Sequence, residues 1–125
     1  MVRFLTLFLG LAACVPTYQA AVSPDRPSAA DVERAKAAVV YDFFDPDSAQ
    51  FRNIVGYRVQ TGDQIICGEV NAKNRFGAYV GYQGFYVRQG RNAVAKVYVD
   101  SDPLYWGTQA CREAARGSIP LPAPT

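Results

Sequence analysis

Between residues 53 and 99 the chain runs through four stretches of alternating side chains separated by short turn signals, and no other feature constrains the fold as much. In the first stretch, about 53–60, Val55, Tyr57 and Val59 share one parity. Thr61-Gly62-Asp63 then forms a hairpin turn in which Gly62 supplies a positive φ. A second stretch covers 64–71, and Lys73-Asn74-Arg75-Phe76-Gly77 reverses the chain into a long third one, 78–88. Gln89-Gly90-Arg91-Asn92 turns it again into 93–99. Connections this short make neighbouring strands antiparallel, so the pattern predicts a four-stranded meander.

Helical signals flank the strands. Ser28 with Asp31 three residues on forms an N-terminal cap, and Val32, Ala35, Val39, Val40 and Phe43 recur on one helical face. Asp45-Pro46 stops that helix, because the residue before proline avoids the α region. Phe51, after a tight helical turn, is expected to pack back on Phe43 or Phe44. A short second helix over 108–116 places Ala110, Cys111, Ala114 and Ala115 together and ends at Gly117. The predicted fold class is α+β: an N-terminal helix, a four-stranded antiparallel meander, and a short C-terminal helix packed on the sheet. Residues 28–116 form the domain. The three prolines of 14–27 suggest an extended tether, and 117–125 a disordered proline-rich tail.

Composition removes whole classes of function. The 125 residues are 50% hydrophobic and 19% charged, an ordinary globular balance for one domain. A net charge of +2 with scattered bases points away from nucleic acid. There is no histidine, which excludes Ser-His and Cys-His catalysis and the commonest metal ligand. No nucleophile–base pair, cofactor motif or metal-ligand spacing stands out, so the chain reads as a non-enzyme without cofactor or metal.

The N-terminus reads as an export signal: Arg3, an apolar run over 4–13, and small residues Ala12 and Ala13 before Cys14. The run is too short to span a bilayer, which takes about 20 apolar residues. Leu11-Ala12-Ala13-Cys14 resembles the lipobox of bacterial lipoproteins. That resemblance implies that residues 1–13 are removed and that Cys14 is acylated with palmitate-type chains. The rival is an ordinary signal cleaved before Ala21, but Tyr18 is bulky where a small residue is wanted. Val15 rather than Asp after the cysteine implies, by the same resemblance, the periplasmic face of the outer membrane. With Cys14 lipidated, Cys67 and Cys111 remain and can pair in an oxidising compartment. The alternative is two buried thiols in a cytosolic protein.

Several residues have a functional and a plainer reading. Glu69 shares strand parity with Ile65 and Cys67, and burial there would make it a general acid with a raised pKa. The plainer reading pairs it with a base. Asp45, Asp47 and Asp63 sit in turns and lack the ligand ladder of a calcium loop. Asn71, Lys73, Asn74 and Arg75 either shape a reversal or contact an anionic partner such as lipid head groups or cell-wall carboxylates. In the third stretch, one parity carries Tyr79 and Phe85 and the other Tyr82 and Tyr86. One face covers the core, which leaves the other to offer aromatics for stacking on a sugar or docking a partner. Tyr79, Tyr82 and Tyr86 therefore join the basic turn as candidate binding residues, with Tyr105 and Trp106 nearby.

Asp45-Pro46-x-Ser48-Ala49-x-Phe51-Arg52, Cys67-Gly68-x-Val70-Asn71-x-Lys73-Asn74, Phe76-Gly77 and Tyr79-x-Gly81 together resemble a group of small exported bacterial proteins of uncharacterised function. The likeness spans about 41–87 and implies no activity. The expected function is a lipid-anchored envelope protein with a binding or structural role toward an envelope protein or the peptidoglycan, including inhibition of a cell-wall hydrolase. The alternative is a periplasmic hydrolase using Glu69. Nothing in the sequence sets an oligomeric state.

Overall fold

The computed structural model describes residues 14–101 and 103–124. The signal-peptide reading of 1–13 lies outside the described residues. The elements are β1 (Thr17–Asp25), α1 (Ala29–Val40), a 3-10 turn (Pro46–Ser48), β2 (Gln50–Val59), β3 (Gln64–Asn71), β4 (Gln83–Gln89), β5 (Val94–Val99), α2 (Trp106–Ala115) and β6 (Ser118–Pro122). The strands form one antiparallel sheet in the order β5-β4-β3-β2-β1-β6.

The α+β class, both helices and the central meander agree with the sequence pattern. Ser28 caps α1 through its hydroxyl, which accepts from the Asp31 amide at 3.1 Å. The sheet, however, has six strands, not four. Residues 14–27 are not a tether, because 17–25 form β1 and pair with both β2 and β6. Residues 117–125 are not a disordered tail, because 118–122 form β6.

Proline misleads at both places for one geometric reason. In β1 the even residues turn their backbone toward β6: the Val22 amide donates to Gly117 O at 2.8 Å, whereas Ala21 O accepts from Gln60 of the β2 side at 2.9 Å. Pro24 is even and lies beyond the end of β6, so its missing N–H interrupts no ladder. Within β6 it is Ile119 and Leu121 that face Ala20 and Tyr18, which leaves Pro120 and Pro122 with their nitrogens on the open edge. A proline-bearing edge also resists pairing with another chain.

Helices cover both faces of the sheet. Ile66, Val70, Phe85 and Val87 pack with Ala35 and Val39 of α1, and Phe51 meets Phe85 edge-on with ring centres 5.7 Å apart. Phe43 and Phe51 belong to this same cluster, in line with the expected packing. On the other face Ile65, Cys67 and Tyr86 pack with Ala114 of α2 and with Ala20, Ile119 and Leu121. Tyr86 and Tyr98 line one cavity with Ile119 and Leu121, so the sheet curls until its two ends approach each other around α2. The expectation of one exposed face is therefore overturned for the strands proper.

Two contacts seat α2. Cys67 of β3 and Cys111 of α2 form a disulfide with Cα atoms 6.0 Å apart. Gly84 faces the start of the helix, where an added Cβ would lie 2.5 Å from Thr108 Oγ1 and 2.6 Å from Asp100 Oδ2. Asp100, nearly buried, accepts from the Thr108 amide at 3.0 Å and from its hydroxyl, satisfying the first turn of α2.

The bridge spans a sequence separation of 44, so reduction should cost about 4 kcal/mol on the chain-entropy model. Urea denaturation of Cys67→Ser/Cys111→Ser measures this, and an unchanged midpoint would contradict it. Truncation after Gly117 should lower the midpoint as well, because it uncovers Ala20 and Tyr18; a free tail would leave stability unaltered.

Candidate functional site

The end of the sheet where β2 begins and β3 stops carries the predicted binding residues. Strand β4 starts only at Gln83, so 78–82 are not part of the expected long third strand. They belong to a loop from 72 to 82 that folds against the 3-10 turn. Asn71 Oδ1 accepts from the Gly81 amide at 3.0 Å. Asn74 Oδ1 accepts from the Phe76 and Ala78 amides at 2.9 and 3.2 Å. Both asparagines thus spend their side chains on closing the loop. Ser48 links it to the 3-10 turn, accepting from the Lys73 amide at 2.8 Å through Oγ and from the Tyr79 hydroxyl at 2.9 Å through its carbonyl.

A loop held in this way presents what it does not consume. Phe76 is 93% exposed at the tip, and Tyr79, Val80 and Tyr82 follow it on the surface. Bases lie over three aromatic rings: Arg52 3.6 Å from the Tyr82 ring centre, Lys73 5.6 Å from Tyr79, and Arg75 5.8 Å from exposed Phe44. Across a cavity of about 360 Å³ Tyr82 faces Tyr105, and Leu104, Tyr105 and Trp106 extend the exposed apolar surface. An apolar, aromatic surface interleaved with guanidinium and ammonium groups suits stacking and cation–π contact.

The structure brings Asn71, Lys73, Asn74, Arg75, Tyr79 and Tyr82 together. It separates Tyr86, which is buried on the α2 face and whose hydroxyl is pushed up to about 12, chiefly by burial. Cys14 lies outside the site, exposed and free. Sequence reasoning missed Arg52, Phe44 and Phe76. The exposure of Phe76 follows from its place between Asn74 and Gly77 at a reversal, a signal present in the sequence; the stacking of Arg52 on Tyr82 had none.

Glu69 lines the same cavity as Tyr82 and Asp100. A bulge in β2 between Arg52 and Val55 puts Asn53 in the left-handed region, at φ 54°, and turns it toward Glu69. Asn53 Nδ2 donates to Glu69 Oε2 at 2.6 Å, and Arg52 reaches both carboxylate oxygens at 3.1 and 3.3 Å. The hydrogen bonds from Arg52, then Asn53, hold this carboxyl below its ordinary 4.5. The raised pKa expected of a general acid is thereby reversed, and the plainer pairing with a base is what the geometry contains. Asp63 lies at the far end of the sheet, ion-paired to Arg88 at 2.8 Å, whereas Asp45 and Asp47 lie around the 3-10 turn. Among the described residues no three His, Cys, Asp or Glu side chains converge to hold a metal.

No protein-family model matches this chain, and comparison with curated proteins and with solved structures finds no match either.

NMR titration of the Glu69 carboxyl should give a midpoint below 4.5, and Arg52→Gln should move it upward. A depressed folded-state pKa means that this contribution to stability is present above the ordinary value and fades as pH falls through the folded one. A midpoint above 4.5 would restore Glu69 as a candidate acid.

Proposed function

We propose that the protein is a non-enzymatic component of the cell envelope, anchored by acyl chains on Cys14, which binds a protein or cell-wall glycan through its aromatic and basic end. The observation that carries this reading is the division of the cysteines: Cys67 and Cys111 are bonded to each other, and Cys14 is left exposed. A leftover cysteine in an oxidised, exported chain calls for a use. This one follows Leu11-Ala12-Ala13, the residues that resemble a lipobox. Among the described residues no helix is long and apolar enough to cross a membrane. Two or three acyl chains hold a protein stably without one.

Only Val15 and Pro16 separate Cys14 from β1. Pro16 O already accepts from the Ala123 amide at 2.9 Å, which ties the anchor to the edge strand. Acyl groups on Cys14 would lie within about 10 Å of the sheet. From Asp25 to Thr17, β1 runs past the β2–β3 hairpin and away from the end that holds Phe76 and Tyr82. The eight residues of β3 set these ends roughly 25 Å apart. The aromatic end is therefore turned from the anchoring bilayer, which favours a partner across the periplasm over lipid head groups of the same membrane. The placement on the periplasmic face of the outer membrane rests on Val15 following the cysteine. A hydrolase built on Glu69 finds little support, since its carboxyl is kept ionised and Asp100 is committed to α2.

Metabolic labelling with a palmitate analogue should mark the protein, and Cys14→Ser should lose the label and the membrane fraction; persistent labelling would refute the anchor. A photo-crosslinking side chain at exposed Val80 should capture an envelope partner. Arg75→Ala with Phe76→Ala should weaken capture roughly tenfold, as expected of contact hot spots, with little change in melting temperature. Capture only from a crosslinker placed on β6 would locate the interface elsewhere.

A further inference from the structure

A second, smaller cavity of about 240 Å³ lies at the opposite end of the sheet, between the first turn of α1 and the two hairpin turns. Its walls include Asp31, Arg34, Arg58, Gln64, Gln89 and Arg91. Gln64 is 4% exposed and Gln89 1%, an unusual burial for glutamine. Gln89 Nε2 donates to Asp31 O at 3.0 Å and to Gln64 Oε1 at 3.3 Å, which sets the orientation of both amides. That leaves Gln64 Nε2 and Gln89 Oε1 buried without partners. Arg34 donates through one terminal nitrogen to Arg91 O at 2.8 Å and through the other to Asp31 at 2.7 Å, and its Nε is likewise buried and unpartnered. Among the described residues these three atoms are all the buried side-chain polar atoms that lack a partner, and the three residues that carry them all line this one cavity.

Buried polar groups are nearly always satisfied by protein, ordered water or a ligand, so three such atoms beside one polar space mark it as a place that water or a small polar ligand fills. Two of the orphans are donors and one is an acceptor. The charges narrow the class further. Arg34 is paired with Asp31 and Arg58 with Asp25, both at 2.7 Å, whereas Arg91 has no ion pair among the described residues. One surplus positive charge matches a monoanion better than a dianion. The space equals about eight water volumes, enough for a small organic acid. Terminal amide torsions of glutamine are broad, so a rotation that gives up the 3.3 Å bond between Gln89 and Gln64 turns these groups into the cavity.

We propose that this cavity binds a small carboxylate with an adjacent N–H donor, the chemistry shared by a free N-acyl amino acid and the C-terminus of a peptide. The carboxylate takes the Arg91 guanidinium and the Gln64 amide, and the ligand N–H reaches Gln89 Oε1, as the two amides exchange their bond to each other for the ligand. The site is independent of the aromatic end and of the lipid anchor, and it survives the failure of either.

The test titrates the full chain, in detergent where acylated, and follows the side-chain amide signals of Gln64 and Gln89 by NMR. N-acetylglycine should shift both saturably and bind about fivefold more tightly than acetate, which lacks the N–H. Arg91→Gln, an exposed position, should weaken binding about tenfold without changing the melting temperature. Acetyl-Ala-Ala binding more tightly than N-acetylglycine assigns the site to a peptide terminus, and weaker binding to a free acid; both outcomes support the proposal. It is overturned if neither compound shifts the glutamines, if inorganic phosphate binds more tightly than either, if C-terminally amidated acetyl-Ala-Ala binds equally well, or if Arg91→Gln changes nothing.

Discussion

The seating of α2 inside the curl of the sheet is the contact on which the rest of the molecule depends. The disulfide from Cys67 to Cys111 holds the helix to β3, and Gly84 lets its first turn come down onto β4. With α2 in place, Gly117 takes a positive φ of 101°, and the chain turns back so that β6 meets β1. Ile119 and Leu121 then close the core over Ala114 and Tyr86. Without that helix, β1 and β6 would have nothing to curl around. The small domain gains a second core on the face that a simple meander leaves open, in addition to the one beneath α1. For a chain of this size, burying both faces and adding a covalent staple offsets the limited surface that a single core can remove from water.

The same geometry divides the surface by task. One end of the sheet holds Cys14 and the edge strand tied to it, and the other holds a loop that Asn71 and Asn74 close internally and that leaves Phe76 exposed at its tip. Asparagine side chains that close a loop also hold its shape, so the aromatics are displayed at low cost in conformational entropy. The bulge at Asn53 serves this end as well. It brings Arg52 onto Tyr82 and Glu69 at once, so one guanidinium both stacks on a ring and keeps a neighbouring carboxylate ionised.

Much of this could be read from local pattern. The cap at Ser28, the hairpin at Gly62 and the boundaries of β3 follow from side-chain periodicity and turn chemistry, which act over a few residues; the first helix, by contrast, ends at Val40, ahead of the stop expected at Asp45-Pro46. The cysteine pairing followed from counting once Cys14 was set aside. The missed strands share a cause: clustered proline ordinarily marks irregular chain, although Ile119 and Leu121 alternate with Pro120 and Pro122 in strand register. Edge position makes that alternation permissible, and edge position is a property of the whole sheet. The choice between the two readings of Glu69 has a related cause, since a bulge in a neighbouring strand decides its partners.

By itself the sequence determined the α+β class, the central hairpins, the first helix and the presence of an aromatic and basic reversal, because each rests on interactions between near neighbours along the chain. Only the tertiary structure decided that both sheet faces are covered, that the proline-rich ends are strands, that Tyr86 is buried while Phe76 is displayed, and that the three residues with orphaned polar atoms line one cavity. Those outcomes depend on which distant segments meet, through the burial of apolar faces and the pairing of strand edges, and no local period encodes them.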